Sequence, residues 1–307
     1  AFPHHTNEIA QSESFLGHTW CPHWFHVAHL NTNSGKMSKS KGEFLTVSLL
    51  EKKGYDPMAY RLFCLQSHYR RNLVFSWENL DNAVIAYEKL IAKIAEFEAV
   101  SEKYILCGNG AAELIYSYCE ALHPALAVEL APTFSEYSLG LERVGGTMKR
   151  YTLQPENGFL LDNHFLTFLE ETKPDVVFLC NPNNPTGRTI PFDLLVKILV
   201  FCKENKIRLF LDECFCDLSD REETLKGFLA DNPQLLLLKA FTKSYGMAGI
   251  RLGYCLTADR ALLSGMAKTV QPWNVSGLAQ AAGIAMTSVF GNPSSLHRAG
   301  QQARELL

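Results

Sequence analysis

Apolar and polar positions fall into two textures along the chain, and the change comes near residue 100. Before it, Leu80, Val84, Tyr87, Leu90, Ile91 and Ile94 recur at helical spacing, so a helix over 78–97 carries one apolar stripe. Shorter helical patterns precede it at 45–53 and 56–67. They follow a His- and aromatic-rich opening and a polar loop from Asn31 to Gly42. This part of the chain reads as a helix bundle.

From Tyr104 onward the pattern alternates. β-rich runs at 104–107, 126–130, 147–152, 175–180, 207–212, 235–240 and 251–256 are separated by helical segments at 111–121, 134–143, 162–171, 191–204 and 221–229. Strands alternating with helices favour parallel pairing through right-handed crossovers, hence an α/β sheet with helices on both faces. Val176–Cys180 and Leu235–Leu238 are apolar throughout, as strands covered on both sides must be. No Pro/Gly-rich linker marks the change of texture, and the helix from 78 runs straight into it.

Composition narrows the classes. Of 307 residues, 47% are apolar and 20% charged, which excludes a disordered chain and leaves ample material for a core. A net charge of −3 gives no global basic field, so any nucleic-acid contact has to be local. Nine cysteines are scattered without a CxxC pair, which fits a reduced compartment rather than a disulfide framework. No apolar run approaches the roughly 18 residues that a membrane span demands, and no signal-peptide pattern opens the chain, so a cytoplasmic protein is expected.

Four polar features fall where an α/β sheet presents ligands, at the carboxyl ends of strands and the helix starts beyond them. Cys107-Gly108-Asn109-Gly110-Ala111-Ala112-Glu113 leads from a strand through glycines into a helix whose free N–H groups suit a phosphate. Asn181-Pro182-Asn183-Asn184-Pro185-Thr186-Gly187 fixes one loop course and can aim an amide at a ligand. Asp212 closes a buried strand, where a carboxylate needs a cation to offset desolvation. Lys243 follows the strand 235–240, and Arg251 lies eight positions on, so two cations reach the same crevice. Taken singly, each also has a plain structural reading as turn, cap or solvated side chain.

Together these residues resemble the large domain of a fold-type-I, pyridoxal-phosphate-dependent enzyme, within it the histidinol-phosphate aminotransferase and threonine-phosphate decarboxylase group, over 101–286. The resemblance implies that Lys243 forms the Schiff base with the cofactor aldehyde and then moves the substrate Cα proton. It implies that Asp212 keeps the pyridine nitrogen protonated, that Asn184 holds the ring oxygen and that Phe134 stacks on the ring. Ala111, Ala112, Thr242 and Arg251 would hold the phosphate. Phe215 stands where many relatives carry a tyrosine. The N-terminal arm and the small domain that such enzymes add are not recognisable, so cofactor binding is a firmer expectation than turnover.

Residues 1–98, with FPHHTNEIAQSE, KMSKSKGEF, YDPMAYRLFCLQSHYR and FSWENL, resemble the second half of the catalytic core of a class I cysteinyl-tRNA synthetase. That implies ATP contacts from Lys36 and Lys39 of the KMSKS loop, where lysines stabilise charge on a polyphosphate. It also implies zinc ligation by His4 and Glu8, one helical turn apart, with Cys21, His23, His26 and His29 nearby as a substitute set. The nucleotide-binding half and the upstream cysteine ligands are missing, so tRNA becomes a partner only if that half is supplied elsewhere.

Residues 287–307 resemble the N-terminal part of a cysteine desulfurase, and Ser294 or Ser295 is expected to cap its helix. The sequence thus reads as a composite of 1–100, 101–286 and 287–307. The leading expectation is amino-group transfer or decarboxylation of an amino acid in a homodimer; the alternatives are a cysteine–tRNA ligase fragment and a non-catalytic composite chain.

Overall fold

The computed structural model describes residues 4–24, 26–32, 35–36, 46–55, 60, 63–64, 67–68, 70–219, 224–270 and 275–305. The first part contains α1 (His4–Leu16), β1 (Leu30–Thr32), β2 (Gly35–Lys36), α2 (Val47–Lys52), β3 (Leu73–Phe75) and α3 (Trp77–Glu98). It is not only helical: β1 pairs antiparallel with β2 and parallel with β3, so the polar stretch from Asn31 opens as a hairpin. Strands of two or three residues are too short to display alternation, and the apolar Leu73-Val74-Phe75 merges with the helical signal behind it. Leu50, Phe63, Phe75 and Leu80 form a small core there, with the Phe63 and Phe75 rings edge to face at 5.7 Å. The helix expected at 56–67 lies mostly outside the described residues.

α3 crosses the change of texture without a break. Ser76 caps its start by accepting the Asn79 N–H at 3.1 Å, and Ala99 ends it in the left-handed region at φ 55°. Beyond it come β4 (Ile105–Gly108), α4 (Ala111–Leu122), β5 (Leu126–Ala131), α5 (Glu136–Glu142), β6 (Thr147–Thr152), α6 (His164–Thr172) and β7 (Val176–Cys180). The chain continues through α7 (Phe192–Glu204), β8 (Arg208–Asp212), β9 (Leu235–Ala240), α8 (Phe241–Ser244), β10 (Gly253–Leu256), α9 (Arg260–Thr269), α10 (Gly277–Phe290) and α11 (Pro293–Glu305).

The seven strands run in the order β4-β10-β9-β8-β7-β5-β6. All pairings are parallel except those of β10, which is antiparallel to both of its neighbours. The carboxyl ends of β4, β5, β7, β8 and β9 and the amino end of β10 therefore share one rim. Side chains alternate between two cores. Val177, Leu179, Leu209, Leu211, Leu235 and Leu237 pack under α3, α6, α7 and α10. Phe178, Phe210, Leu236 and Leu238 pack under α4, α5 and α9. Strands between two helical layers bury every position, as the apolar β7 does and as β9 does even at Lys239.

Of the segment expected to be helical over 221–229, the part among the described residues includes the start of a 3-10 turn at Lys226–Asp231. The last helix, α11, is capped by neither serine: Asn292 accepts the Ser295 N–H at 2.9 Å and Ser295 is the donor. Asparagine suits that role as well as serine does, and Pro293 sits at the first helical position. Leu296 of α11 is buried against the turn Cys216–Leu218.

Candidate functional site

At the end of β8, Asp212 is buried, and both of its oxygens are engaged: Oδ1 by the Cys214 N–H at 2.9 Å and Oδ2 by the Tyr137 hydroxyl at 2.6 Å. Burial pushes its carboxyl above the usual range, against the pull of those two bonds and of the Lys243 ammonium. The thiols of Cys180 and Cys214 border it, and burial together with the Asp212 charge raises both, Cys180 to about 12. No ion pair forms at Asp212 among the described residues, so this buried acid lacks a bonded cation.

Lys243 lies on the neighbouring strand's continuation, in α8, with its amine exposed. Its Nζ stands 5.6 Å from the Phe215 ring centroid, on the turn that follows Asp212. The two groups expected to share one planar ring thus occupy the same rim, on adjacent strands.

The phosphate side is built from close backbone approach. A Cβ on Gly253 would fall 2.7 Å from the Gly110 carbonyl carbon and 2.8 Å from the Ala111 nitrogen. Gly110 has φ 90°, and a Cβ there would lie 2.6 Å from Arg251 Nη2, so the guanidinium lies against the start of α4. Ala111 and Ala112 open that helix, and their N–H groups meet no acceptor among the described residues. Thr242 is half-buried beside Lys243. Glu113 reaches back to the Asn109 N–H at 2.7 Å, and Asn109 Oδ1 accepts the Val275 N–H at 2.8 Å, fixing the loop from both sides.

The asparagine loop sorts its three amides. Asn181 Oδ1 accepts the Ile190 N–H at 2.8 Å. Asn183 accepts from Thr133 Oγ1 at 2.8 Å and donates to the Pro132 carbonyl at 2.9 Å. Both are spent inside the protein, whereas the half-buried Asn184 side chain takes no partner among the described residues. Phe134, beside Thr133, meets the Tyr137 ring edge to face at 5.7 Å. Sequence reasoning missed Tyr137; its only signal was its position one helical turn after Phe134.

The residues assigned to the synthetase-like segment do not converge. His4 and Glu8 are exposed on α1, and no cluster of three His, Cys, Asp or Glu side chains able to hold a metal occurs among the described residues, so zinc ligation there is not supported. The His5 ring meets Trp24 tilted at 4.2 Å and His26 edge to face at 4.8 Å, an aromatic cluster rather than a ligand set. Cys21 gives its thiol hydrogen to the His23 carbonyl. Lys36 ends β2, and Lys39 lies outside the described residues.

Comparison with known proteins gives two overlapping matches. Residues 1–85 match the tRNA synthetases class I (C) catalytic domain, and residues 78–303 match aminotransferase class I and II. The second match runs on through most of the segment read as desulfurase-like. The threonine-phosphate decarboxylase of Salmonella typhimurium is 37% identical over 199 residues, which span 64% of this chain and 54% of that protein. The cysteine–tRNA ligase of Novosphingobium aromaticivorans is 38% identical over 150 residues, covering 46% of this chain and 30% of the ligase. The crystal structure of the histidinol-phosphate aminotransferase from Clostridium acetobutylicum superposes with a TM-score of 0.62 at 23% identity, over 70% of this chain and 62% of that one. The chain thus spans about half the length of the aminotransferase-like relative and under a third of the ligase. With a synthetase-like segment ahead of it, the seven-stranded sheet and its rim make this chain a member of the aminotransferase class I and II family.

Proposed function

We propose that the rim of the seven-stranded sheet binds pyridoxal 5'-phosphate and that the protein transfers the amino group of, or decarboxylates, a small amino-acid substrate. The observation that carries this reading is a buried carboxylate without a bonded cation, Asp212, beside the exposed amine of Lys243 and a glycine cradle backed by Arg251. The residues fit the group: the absence of a Cβ at Gly253 and Gly110 lets β10 and the Arg251 guanidinium approach the start of α4, where free N–H groups and a cation suit a phosphate, and Asp212 suits a protonated ring nitrogen.

When bound, the cofactor supplies an electron sink for charge that develops at the substrate Cα. The protein's share is positioning and proton handling. Asp212, held by Tyr137 and Cys214, would pair with a protonated ring nitrogen. Asn184 offers an unspent amide to the ring oxygen, and Phe134 stands ready to stack. Ala111, Ala112, Thr242 and Arg251 would hold the phosphate, the N–H groups along the helix dipole and the guanidinium through its fork. Lys243 takes and returns the Cα proton as general base and acid. Phe215 offers no hydroxyl to the ring oxygen, which leaves that contact to Asn184.

Threonine-phosphate decarboxylase and histidinol-phosphate aminotransferase, the named activities of the relatives, supply the first substrates to try. Purified protein mixed with pyridoxal phosphate should turn yellow, and borohydride should fix the label on the Lys243 peptide. An unlabelled Lys243 peptide ends the reading. The division into 1–100, 101–286 and 287–307, a homodimer and a cytoplasmic location belong to the same proposal; among the described residues no helix is long and apolar enough to cross a membrane.

The match over residues 1–85 favours a second reading for that segment, a cysteine–tRNA ligase piece whose ATP contacts would come from Lys36 and Lys39. Cysteine-dependent ATP–pyrophosphate exchange tests it. The match spans 30% of the ligase, so no exchange is expected from this stretch by itself, and tRNA would be a partner only together with a nucleotide-binding half.

A further inference from the structure

Beneath the rim, on the face of the sheet opposite Asp212, charged side chains meet in the interior. Lys239, 3% exposed, stands 3.4 Å from Asp217, 3.6 Å from Glu98 and 3.7 Å from Glu213. Glu98, fully buried, also takes Lys226 Nζ at 2.9 Å and the Tyr254 hydroxyl at 2.5 Å. Glu213 accepts from the Thr224 hydroxyl at 2.6 Å and the Leu225 N–H at 3.1 Å. Burial works against the ionised form of Glu98, yet Lys239, Lys226 and Tyr254 hold its carboxyl below the usual range. Burial likewise works against the Lys239 ammonium, and Asp217, Glu98 and Glu213 together hold it well above its ordinary value. The cluster sets three carboxyl groups against two amines, with burial raising Glu213 and Asp217 against the pull of Lys239.

Buried ion pairs are a poor source of stability, because desolvation consumes most of the attraction and an apolar set of similar volume does as well. What they do supply is geometry, and here Glu213, Lys239, Tyr254 and Asp217 are each tied through the chain to a group on the rim. Glu213 follows Asp212 directly. Lys239 is the last β9 residue but one before α8, which carries Lys243. Tyr254 is the register partner of Lys239 and lies three residues after Arg251. Asp217 sits in the Cys216–Leu218 turn just behind Phe215, whose ring faces the Lys243 ammonium. Two members come from outside this set: Lys226, from the turn Lys226–Asp231, and Glu98, from the last turn of α3, the helix in which the two family matches overlap.

We propose that Glu98 is a positioning residue: by closing the buried ionic cluster with Lys239, Lys226 and Tyr254, it holds the Phe215 turn and the β9 end in register, so that the Lys243 amine stands over the Phe215 ring at the rim. The α3 helix is thereby part of the site's support. The inference rests on the reading of Lys243 as the reactive amine, but its test needs no cofactor.

Reductive methylation of the full chain with 13C-formaldehyde places a reporter on each lysine amine, and the Lys243→Arg protein assigns the Lys243 signal. An amine over an aromatic ring gives an upfield-displaced resonance, which Phe215→Leu should abolish. Glu98→Gln keeps an acceptor for Tyr254 but removes the charge. It should still melt cooperatively while its Lys243 signal moves to the position of the exposed lysines. Tyr254→Phe, which removes a single bond to Glu98, is read in the same way if Glu98→Gln does not fold, and should move the signal part of the way. A folded Glu98→Gln or Tyr254→Phe protein with the Lys243 resonance unmoved overturns the proposal and leaves the cluster a structural feature. Failure of the unmodified protein to turn yellow with pyridoxal phosphate speaks against the cofactor reading alone, and the methyl resonance still decides the role of Glu98.

Discussion

Tyr137 and Asp212, 75 positions apart in sequence, share a 2.6 Å hydrogen bond in the dry layer between β7, β8 and α5. The Tyr137 ring lies parallel to that of Phe178, 12° between planes and 5.5 Å apart, and edge-on to Phe134, so a well-packed ring aims the hydroxyl. The phenol can only donate to the ionised acid. Its own proton is held well above the usual value by burial and by the Asp212 charge. Tyr137 thus favours the charged carboxylate in a place where burial disfavours it.

Tyr137→Phe keeps the ring and removes the donor. A carboxylate oxygen left without its bond costs about 2 kcal/mol. The variant should fold, melt earlier and bind pyridoxal phosphate about tenfold more weakly, because its Asp212 is more readily protonated. Urea unfolding and an absorbance titration with the cofactor check both. Unchanged cofactor affinity at reduced stability would reduce Tyr137 to a packing residue.

Asp212→Asn separates stability from function. In the folded protein burial raises the Asp212 carboxyl, so the native state holds a proton at pH values where the unfolded chain has lost it. Asp212 is therefore tolerated best in acid, and stability falls as pH rises through its raised value. Asparagine has no charge to desolvate; its oxygen still accepts from Cys214, and the Tyr137 hydroxyl can turn to accept from its amide. The variant should be more stable than the parent at pH 7–8, the gain should vanish towards pH 4, and cofactor binding should be nearly lost. Melting curves across this range decide it, and a gain that is the same at every pH would contradict the linkage.

Much of this was legible in the sequence, and the parts that were not share a physical cause. The strands of the large sheet announced themselves because β7 is apolar at every position and β9 over Leu235–Leu238, and the rim followed from Asp212, Lys243 and Arg251 standing at their ends. Asn184 could not be separated from Asn181 and Asn183 by reading. The choice depends on which amides the loop consumes, and Ile190, Thr133 and Pro132 consume the other two. Tyr137 and Glu98 were invisible for a similar reason: each is a polar group on an otherwise apolar helix stripe, and the partner that gives it meaning lies on a distant strand. The short strands β1, β2 and β3 carry too few residues for any period to show.

Gly253→Ala tests the phosphate cradle. A methyl at this position meets backbone atoms of Gly110 and Ala111 at 2.7 and 2.8 Å, and neither can move without parting β10 from β4. Overpacking of this kind costs about 2 kcal/mol. The substitution should lower the melting temperature and, by displacing the first turn of α4 from Arg251, weaken cofactor binding by more than tenfold. Pyridoxal, which lacks the phosphate, should bind the variant and the parent equally; a matching loss for pyridoxal would show that the damage is general.

Lys239→Met leaves Glu98, Glu213 and Asp217 buried with Lys226 as the remaining ammonium of the cluster. Removing one partner of a buried ion pair costs about 3–5 kcal/mol, since the partner charges stay in place uncompensated. Burial already raises Glu213 and Asp217, opposed chiefly by Lys239, and without that ammonium both should rise further. A carboxyl with a raised native value holds its proton more tightly folded than unfolded, so the variant should lose stability as pH climbs through those values and regain it in acid. Urea unfolding from pH 5 to pH 8 should show parent and variant drawing together at the acid end and parting at the alkaline end. A penalty independent of pH would mean that the carboxylates do not feel Lys239, and that packing rather than charge holds the floor of the site.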